Sequence, residues 1–492
     1  MAFWLLLLLG LATYLIVRHS VAQITRTPVW LLWLVLMTPA FLLTGWTLVY
    51  GPTLPPPPAL LIWPSVICLL LYWLLFQWGR QLPGQVQTQS SPSAPESANH
   101  PTAEPTPVRA LDNTEETQLR NCFPWSIYYV QNIEYRPQAV ICRGQLRTTA
   151  TSAYQQIKTN IESQFGDRFL VIFQEGMNDK PFFVLVPNPQ AARQNTKRES
   201  EKITQPGLAL VLLLATLVST TLVGVKIAGG ELRELESDFS LILRGLPYAL
   251  GLMTILGVHE LGHYITAKFY KIRSTLPYFI PVPFFLGTFG AFIQMRSPIP
   301  HRKALFDVSI AGPIAGFIAT LPLLFWGLTH SEVVPMSDKT GLLNPNALNP
   351  KYSILLAVLS KLALGSELTA KSAIDLHPVA VAGFLGLIVT ALNLMPVGQL
   401  DGGHIVHAMF GQRTAIVIGQ VARLLLLLLS FIQEEFLLWA IILLFIPLMD
   451  EPALNDVTEL DNGRDILGLL SMALLLIIVL PLPQAIAGWL QI

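Results

Sequence analysis

Charge is scarce in this chain. Only 13% of its 492 residues are Asp, Glu, Lys or Arg, where a soluble domain is usually about a quarter charged. The 31 acidic residues balance the 31 basic ones, so there is no positive excess to hold a nucleic acid. Cysteine is scarcer still, at three residues. That excludes a disulfide framework, and Cys68, Cys122 and Cys142 follow no zinc-motif spacing. One Cys122–Cys142 bridge is open to the chain; if that region faces the cytoplasm, free thiols are the expectation. What fills the chain instead is apolar: 52% of it is hydrophobic, in runs long enough to cross a bilayer.

Apolar runs lie near 3–17, 28–50 and 59–77, then near 206–228, 243–267, 304–327, 376–397, 414–431, 434–449 and 465–485. The fold class is therefore a polytopic α-helical membrane protein with about ten transmembrane helices. Residues 353–365 are too short for a span and suit the interface. Phe3–Val17 has no basic residues before it and is followed by further spans, which reads as an anchor rather than a cleaved signal. Five regions follow: an N-terminal anchor over 1–80, a Pro/Ser/Gln-rich linker over 81–109, a soluble domain over 110–190, a connector over 191–205, and a membrane-embedded domain over 206–492. The linker cannot bury a core. In the soluble domain, Ser126–Tyr135, Gln138–Leu146, Arg168–Gln174 and Pro181–Val186 alternate as strands, and Thr151–Phe165 has helical character. This predicts a small α+β module of order ββαββ. Pro277–Pro300 is apolar yet broken by prolines and glycines, so it reads as a re-entrant or β-like element shielded from lipid.

Within the membrane domain, residues 254–268 read Thr-Ile-Leu-Gly-Val-His-Glu-Leu-Gly-His-Tyr-Ile-Thr-Ala-Lys. His259 and His263 are one helical turn apart on one face, the spacing at which two imidazoles grip one zinc ion. Glu260 beside them is placed to accept a proton from water. Titratable groups at membrane depth are costly and mark function by default. A zinc hydrolase needs a third protein ligand. Asp401 is the candidate, following an apolar helix broken by Pro396 and Gly398, with Gly402 and Gly403 letting the backbone approach and turn. Taken alone, without the motif, Asp401 reads first as a helix-end acid at the membrane surface. Lys268, Lys271, Arg273, Arg296, Arg302 and Lys303 flank the motif helix on one side, which places that end toward the cytoplasm.

The paired signatures resemble the site-2 protease family of intramembrane metalloproteases. Its pattern is His-Glu-x-x-His on one helix and Asn-x-x-Pro-x-x-x-x-Asp-Gly on another, matched here by Asn393, Pro396, Asp401 and Gly402. The resemblance implies His259, His263 and Asp401 as Zn2+ ligands and Glu260 as the catalytic acid/base. It implies that Asn393 binds the substrate backbone. Ala311-Gly312-Pro313 and Gly316 resemble the small-residue helix between the two motifs, which on its own reads as close helix packing. The chain is most similar to the chloroplast and cyanobacterial branch of ethylene-dependent gravitropism-deficient and yellow-green-like proteases. Pro-Val-Gly-Gln-Leu-Asp-Gly-Gly at 396–403 carries that likeness, with Cys142-Arg143-Gly144-Gln145-Leu146-Arg147, where Gln145 replaces the branch's Asn.

The function so implied is cleavage of transmembrane segments of single-span substrates, by a multi-pass protein of a cyanobacterial-type plasma or thylakoid membrane. Its partners are those substrates and the lipid bilayer, with no nucleic acid. Two rivals stand beside it: a non-proteolytic scaffold or chaperone with a vestigial metal site, and an ion transporter, which would favour acids spread over several spans. His404 and His407 read as interfacial polar residues or as support for the metal site. His301 reads as a surface residue, and His377 as the residue that starts a span beside Pro378. Thr288 and Gln294 suit substrate contact or structural hydrogen bonds equally.

Overall fold

From Phe169 to Gln174 every second side chain is buried, the period-two pattern that a strand on a one-sided core requires. From Ala150 to Phe165 the buried residues are Ala153, Tyr154, Ile157 and Ile161, one stripe of an amphipathic helix. These two periods build the soluble domain. The computed structural model describes residues 28–51, positions 64, 68, 71 and 75, and residues 113–492 except 137–138, 177–179, 189–204, 232–233, 235–237, 239, 283–285, 337–343 and 432–435. The expected span 3–17, most of 59–77, the linker 81–109 and nearly all of the connector 191–205 lie outside the described residues. Residues 1–103 form a unit by themselves, in which α1 (Val29–Tyr50) is an apolar helix containing Pro39.

In the soluble domain, helix α2 (Asn113–Asn121) precedes strands β1 (Tyr128–Arg136) and β2 (Ala139–Leu146). Helix α3 (Ala150–Phe165) and strands β3 (Phe169–Gln174) and β4 (Phe182–Pro187) follow. The sheet is antiparallel in the order β1-β2-β4-β3. Tyr128, Cys142, Phe173, Phe183 and Leu185 are fully buried under α3, and the Phe173 and Phe183 rings stack at 4.1 Å. Each such aromatic adds about 1.5–3 kcal/mol by leaving water. Gly144 faces a bulge in β1, where any Cβ would strike the Tyr129 carbonyl. That steric limit explains the glycine of the Cys142–Arg147 signature. Its charged side chains face outward: Arg143 pairs with Glu134 at 2.9 Å, and Arg147 lies 4.0 Å over the Trp125 ring. Cys122 and Cys142 are free and buried, and burial pushes the Cys142 thiol up to about 12.

The membrane-embedded part is built on α4 (Pro206–Ile227), α5 (Leu241–Phe269), α6 (Arg302–Thr329), α7 (Ile354–Leu364), α8 (Pro378–Leu394), α9 (Asp401–Ser430), α10 (Leu437–Phe445), α11 (Asn462–Val479) and α12 (Gln484–Leu490). Five of these, α4, α5, α6, α9 and α11, are long and apolar enough to cross a membrane, and α1 is a sixth candidate. The apolar α8 has 17 residues. Two expectations change. Among its described residues the run 434–449 contains only the nine-residue α10, which ends before Pro447. The run 414–431 is the second part of a 30-residue helix that begins at Asp401 and breaks at Gly411, where φ is 81° and ψ 160°. The turn before Asp401 falls at Gly398 (φ 49°), while Gly402 and Gly403 lie in the first turn of α9.

Within 277–300, β5 (Tyr278–Pro281) and β6 (Thr288–Phe292) pair as an antiparallel hairpin. Tyr248 donates to the Leu286 carbonyl at 2.9 Å and Ser219 to that of Gly287 at 2.6 Å. Irregular backbone at membrane depth is satisfied in this way by neighbouring helices. A second hairpin pairs β7 (Glu332–Pro335) with β8 (Ser372–Asp375). Small residues bring the central helices together: Gly262 of α5 meets the Ala311 carbonyl of α6 at 2.5 Å from its would-be Cβ, and Gly383 of α8 meets Leu324 of α6 at 2.7 Å.

The soluble domain is stitched to the membrane part by residues 454–456. Phe173 N–H donates to the Leu454 carbonyl at 2.7 Å, and Asp456 N–H to the Phe173 carbonyl at 2.8 Å. On the other side, Leu454 and Asn455 donate to the Ile299 and Pro300 carbonyls at 2.9 and 3.1 Å. Leu454 and Val457 pack on the core of the soluble domain.

Candidate metal centre

The buried face of α5 carries Tyr248, Leu252, Ile255, Leu256, His259, Glu260 and His263, while Leu261 and Ile265 face outward and are 45% and 63% exposed. One helix thus turns an apolar face to lipid and its titratable groups to the bundle. His259, His263 and Asp401 converge. His259 Nε2 lies 3.1 Å from His263 Nε2 and 3.6 Å from Asp401 Oδ2, and His263 Nε2 lies 3.3 Å from the same oxygen. Among the described residues this is the one group of three or more His, Cys, Asp or Glu whose ligand atoms lie within 4.8 Å of one another.

A tetrahedral zinc with ligands at ~2.0–2.1 Å sets its ligand atoms ~3.3 Å apart, and the observed triangle brackets that edge. His263 Nδ1 sits 2.8 Å from the Val308 carbonyl of α6. A proton on Nδ1 satisfies that carbonyl and turns the bare Nε2 toward the triangle, the support that metal-bound histidines require. The residues present fit a metal ion.

The fit depends on α6 having no side chain where the imidazoles lie. A Cβ on Gly312 would overlap the His263 ring, and one on Gly316 would stand 3.1 Å from His259 Cβ and Nδ1. The run Ala311–Gly316 is therefore a seat for the two rings as well as a packing stripe. Glu260 is 7% exposed, and its carboxyl faces the backbone N–H of Ile293 just beyond β6. Asn393 of α8 brings its Nδ2 to 3.3 Å from His259 Nε2. Asp401, which alone could be read as a surface acid, starts α9 inside this group.

The other histidines divide. His301 caps α6, accepting from Ala304 N–H at 3.0 Å, and its ring packs on Tyr270. His377 caps α8, accepting from Val379 N–H at 3.3 Å. Thr288 donates to the Ile280 carbonyl at 2.9 Å within the hairpin, a structural bond. The interfacial reading of His407 is overturned: the residue is 0% exposed, with Nδ1 2.7 Å from Asp450 and Nε2 3.1 Å from Asp456. His404 Nδ1 approaches the same Asp450 oxygen at 2.8 Å. Burial alone would raise the Asp450 carboxyl, but the two imidazoles outweigh it and hold it down at about 2. Arg302, expected as a basic residue flanking the motif helix, is 3% exposed and pairs with Asp456 and Glu175. The signal for this cluster was the scarcity of charge itself: acids in the loop after α10 needed partners, and the sequence alone did not say which.

Residues 247–432 match the family described as peptidase family M50, and residues 117–194 match the one described as EGY3 middle domain. The chain is 30% identical over 370 residues to the probable zinc metalloprotease EGY2, chloroplastic, of Arabidopsis thaliana, across 74% of this chain and 64% of that protein. It is 28% identical over 372 residues to the probable zinc metalloprotease EGY1, chloroplastic, of the same plant, across 70% and 66%. It is 25% identical over 385 residues to the probable zinc metalloprotease EGY3, chloroplastic, of Oryza sativa subsp. indica, across 76% and 64%. The chain spans 64% of the length of the first of these relatives. No solved structure matches.

Proposed function

We propose that this chain, whose residues 247–432 match peptidase family M50, is a zinc-dependent intramembrane endopeptidase that cleaves transmembrane segments of single-span proteins. The observation that carries the reading is the His259–His263–Asp401 triangle, with Glu260 buried on the same helix. When bound there, zinc supplies a Lewis acid that polarises a carbonyl and lowers the pKa of water. Glu260 is the group that accepts the proton of the attacking water and returns it to the leaving amine. Asn393 presents an amide donor at the same point, suited to a substrate carbonyl.

A transmembrane helix hides its own peptide bonds, so the substrate unwinds locally before attack. The β5–β6 hairpin is suited to receive it. Each of its strands has one edge without a strand partner among the described residues, and Phe289 and Phe292 are 72% and 46% exposed. An extended substrate segment added there gains backbone hydrogen bonds, close to Ile293, whose N–H faces Glu260. Replacing residues 284–290 with a rigid helical sequence is expected to abolish cleavage and leave zinc bound; unchanged cleavage would sink this docking role.

In this reading the protein is a multi-pass membrane protein of a cyanobacterial-type plasma or thylakoid membrane. The Lys268, Lys271 and Arg273 flank supports a metal centre toward the cytoplasmic side. A scaffold or chaperone with a vestigial site is the second reading, and the intact base argues against it. The deciding experiment purifies the chain in detergent, quantifies zinc, and incubates the protein with single-span peptides before and after chelation. About one zinc per chain is expected, with cleavage lost on chelation and restored by zinc. No metal in a metal-replete preparation would overturn the proposal.

A further inference from the structure

The helix that carries Asp401 is not continuous. The break at Gly411 makes residues 401–410 a short helical segment, whose direction the apolar stretch after the break does not dictate. Other contacts hold it. At its start, Gly402 and Gly403 press on the Leu394 and Gly398 carbonyls. Along its length, His407 is clamped between Asp450 and Asp456 at 2.7 and 3.1 Å. At its end, the Gln412 side chain donates to the Asp450 carbonyl at 2.8 Å. Asp456 in turn accepts from Arg302 Nε at 3.3 Å, and Arg302 Nη2 donates to Glu175 at 2.9 Å.

Glu175 belongs to the other domain, one residue past β3. The chain Glu175–Arg302–Asp456–His407 therefore runs from the soluble domain to the segment bearing Asp401. The break itself is seated on this chain: a Cβ on Gly411 would stand 2.7 Å from Arg302 Nη2 and 2.9 Å from Glu175 Oε2. Beside it, the backbone strip 454–456 is bonded to Phe173 on one side and to Ile299 and Pro300 on the other. A buried network of this kind is stable when complete, and it is weakened well beyond one bond when a member is removed.

We propose that the soluble domain is a latch on the metal centre: its docking through Glu175, Arg302, Asp456 and His407 fixes the 401–410 segment, and with it the placement of Asp401 against His259 and His263. The inference rests on the metal reading above for its consequence at zinc, and on the geometry of the domain contact for the coupling. His407 and Glu175 are positioning residues, since neither touches the metal group. A binding event that lifts the soluble domain would loosen a ligand of the site.

The test uses the full chain in detergent as wild type, Glu175→Lys, His407→Gln and the double variant. Zinc affinity is measured by competition with a fluorescent chelator, and hydrogen exchange is followed over residues 401–411. Each single variant is expected to weaken zinc about tenfold. The double variant is expected to be no worse than the weaker single, because both act on one chain of contacts. Glu175→Lys is expected to speed exchange in 401–411 although it lies in the other domain. Zinc affinity within about twofold of wild type in Glu175→Lys, unchanged exchange, or additive losses in the double would each overturn the latch. The Glu175 side chain is 43% exposed and lies outside the core of the soluble domain, so this substitution is the milder of the two and decides the matter even if His407→Gln does not fold. Absence of zinc from wild type would defeat the metalloprotease reading, while the exchange measurement would still decide the coupling.

Discussion

Glu260→Gln is expected to keep zinc at the wild-type level and to lower peptide cleavage about 10²- to 10⁴-fold. The amide matches the carboxylate in shape. What it lacks is the ability to accept a proton from water. The three residues that would hold the metal are untouched, since His263 is seated on the Val308 carbonyl and Asp401 lies on another helix. Zinc quantification beside initial rates on a single-span peptide separates the two effects. His263→Ala is the contrast: it removes one corner of the triangle and is expected to lose metal and activity together. If Glu260→Gln cleaved within tenfold of wild type, another group would be the base.

The parts of this site that were legible in sequence are those whose chemistry is local. Two imidazoles one turn apart announce themselves in any apolar helix, and Asn393, Pro396 and Asp401 stand at a spacing that a family shares. The strands of the soluble domain were legible for the same reason, because alternation such as Phe169–Gln174 is written in neighbouring residues. The rest depends on distant partners. Nothing near His407 in sequence names Asp450 or Asp456, so a buried residue read as interfacial. Arg302 counted as a flanking charge because its partners, Glu175 and Asp456, lie in a different domain and a distant loop. The start of α9 was missed because Gly402 and Gly403 are poor helix formers, and only their contact with the Leu394 and Gly398 carbonyls explains why glycine is needed inside a helix. Among its described residues the apolar run 434–449 holds a nine-residue helix, because composition measures hydrophobicity, not where a helix stops.

Gly312→Ala is expected to weaken zinc binding by about 10- to 100-fold, the loss typical when support behind a metal ligand is removed. A single methyl added there would overlap the His263 imidazole, and His263 cannot retreat easily because its Nδ1 is tied to Val308 on the same helix, α6. Overpacking of this size costs about 1–3 kcal/mol when the neighbours must shift, while alanine in a helix gains up to about 1 kcal/mol over glycine. The two terms only partly offset each other in stability and do not offset each other in metal affinity, so the variant should lose at most about 3 kcal/mol of stability, remain folded, and still bind zinc poorly. Gly316→Ala is the control one turn along, where the nearest atoms of His259 stand at 3.1 Å and can yield by a few tenths of an ångström. Its zinc affinity should stay within a few-fold of wild type. Chelator competition on the two variants reads the difference directly. Equal affinities would mean that α6 does not seat the imidazoles, and that the small residues of Ala311–Gly316 serve helix packing alone.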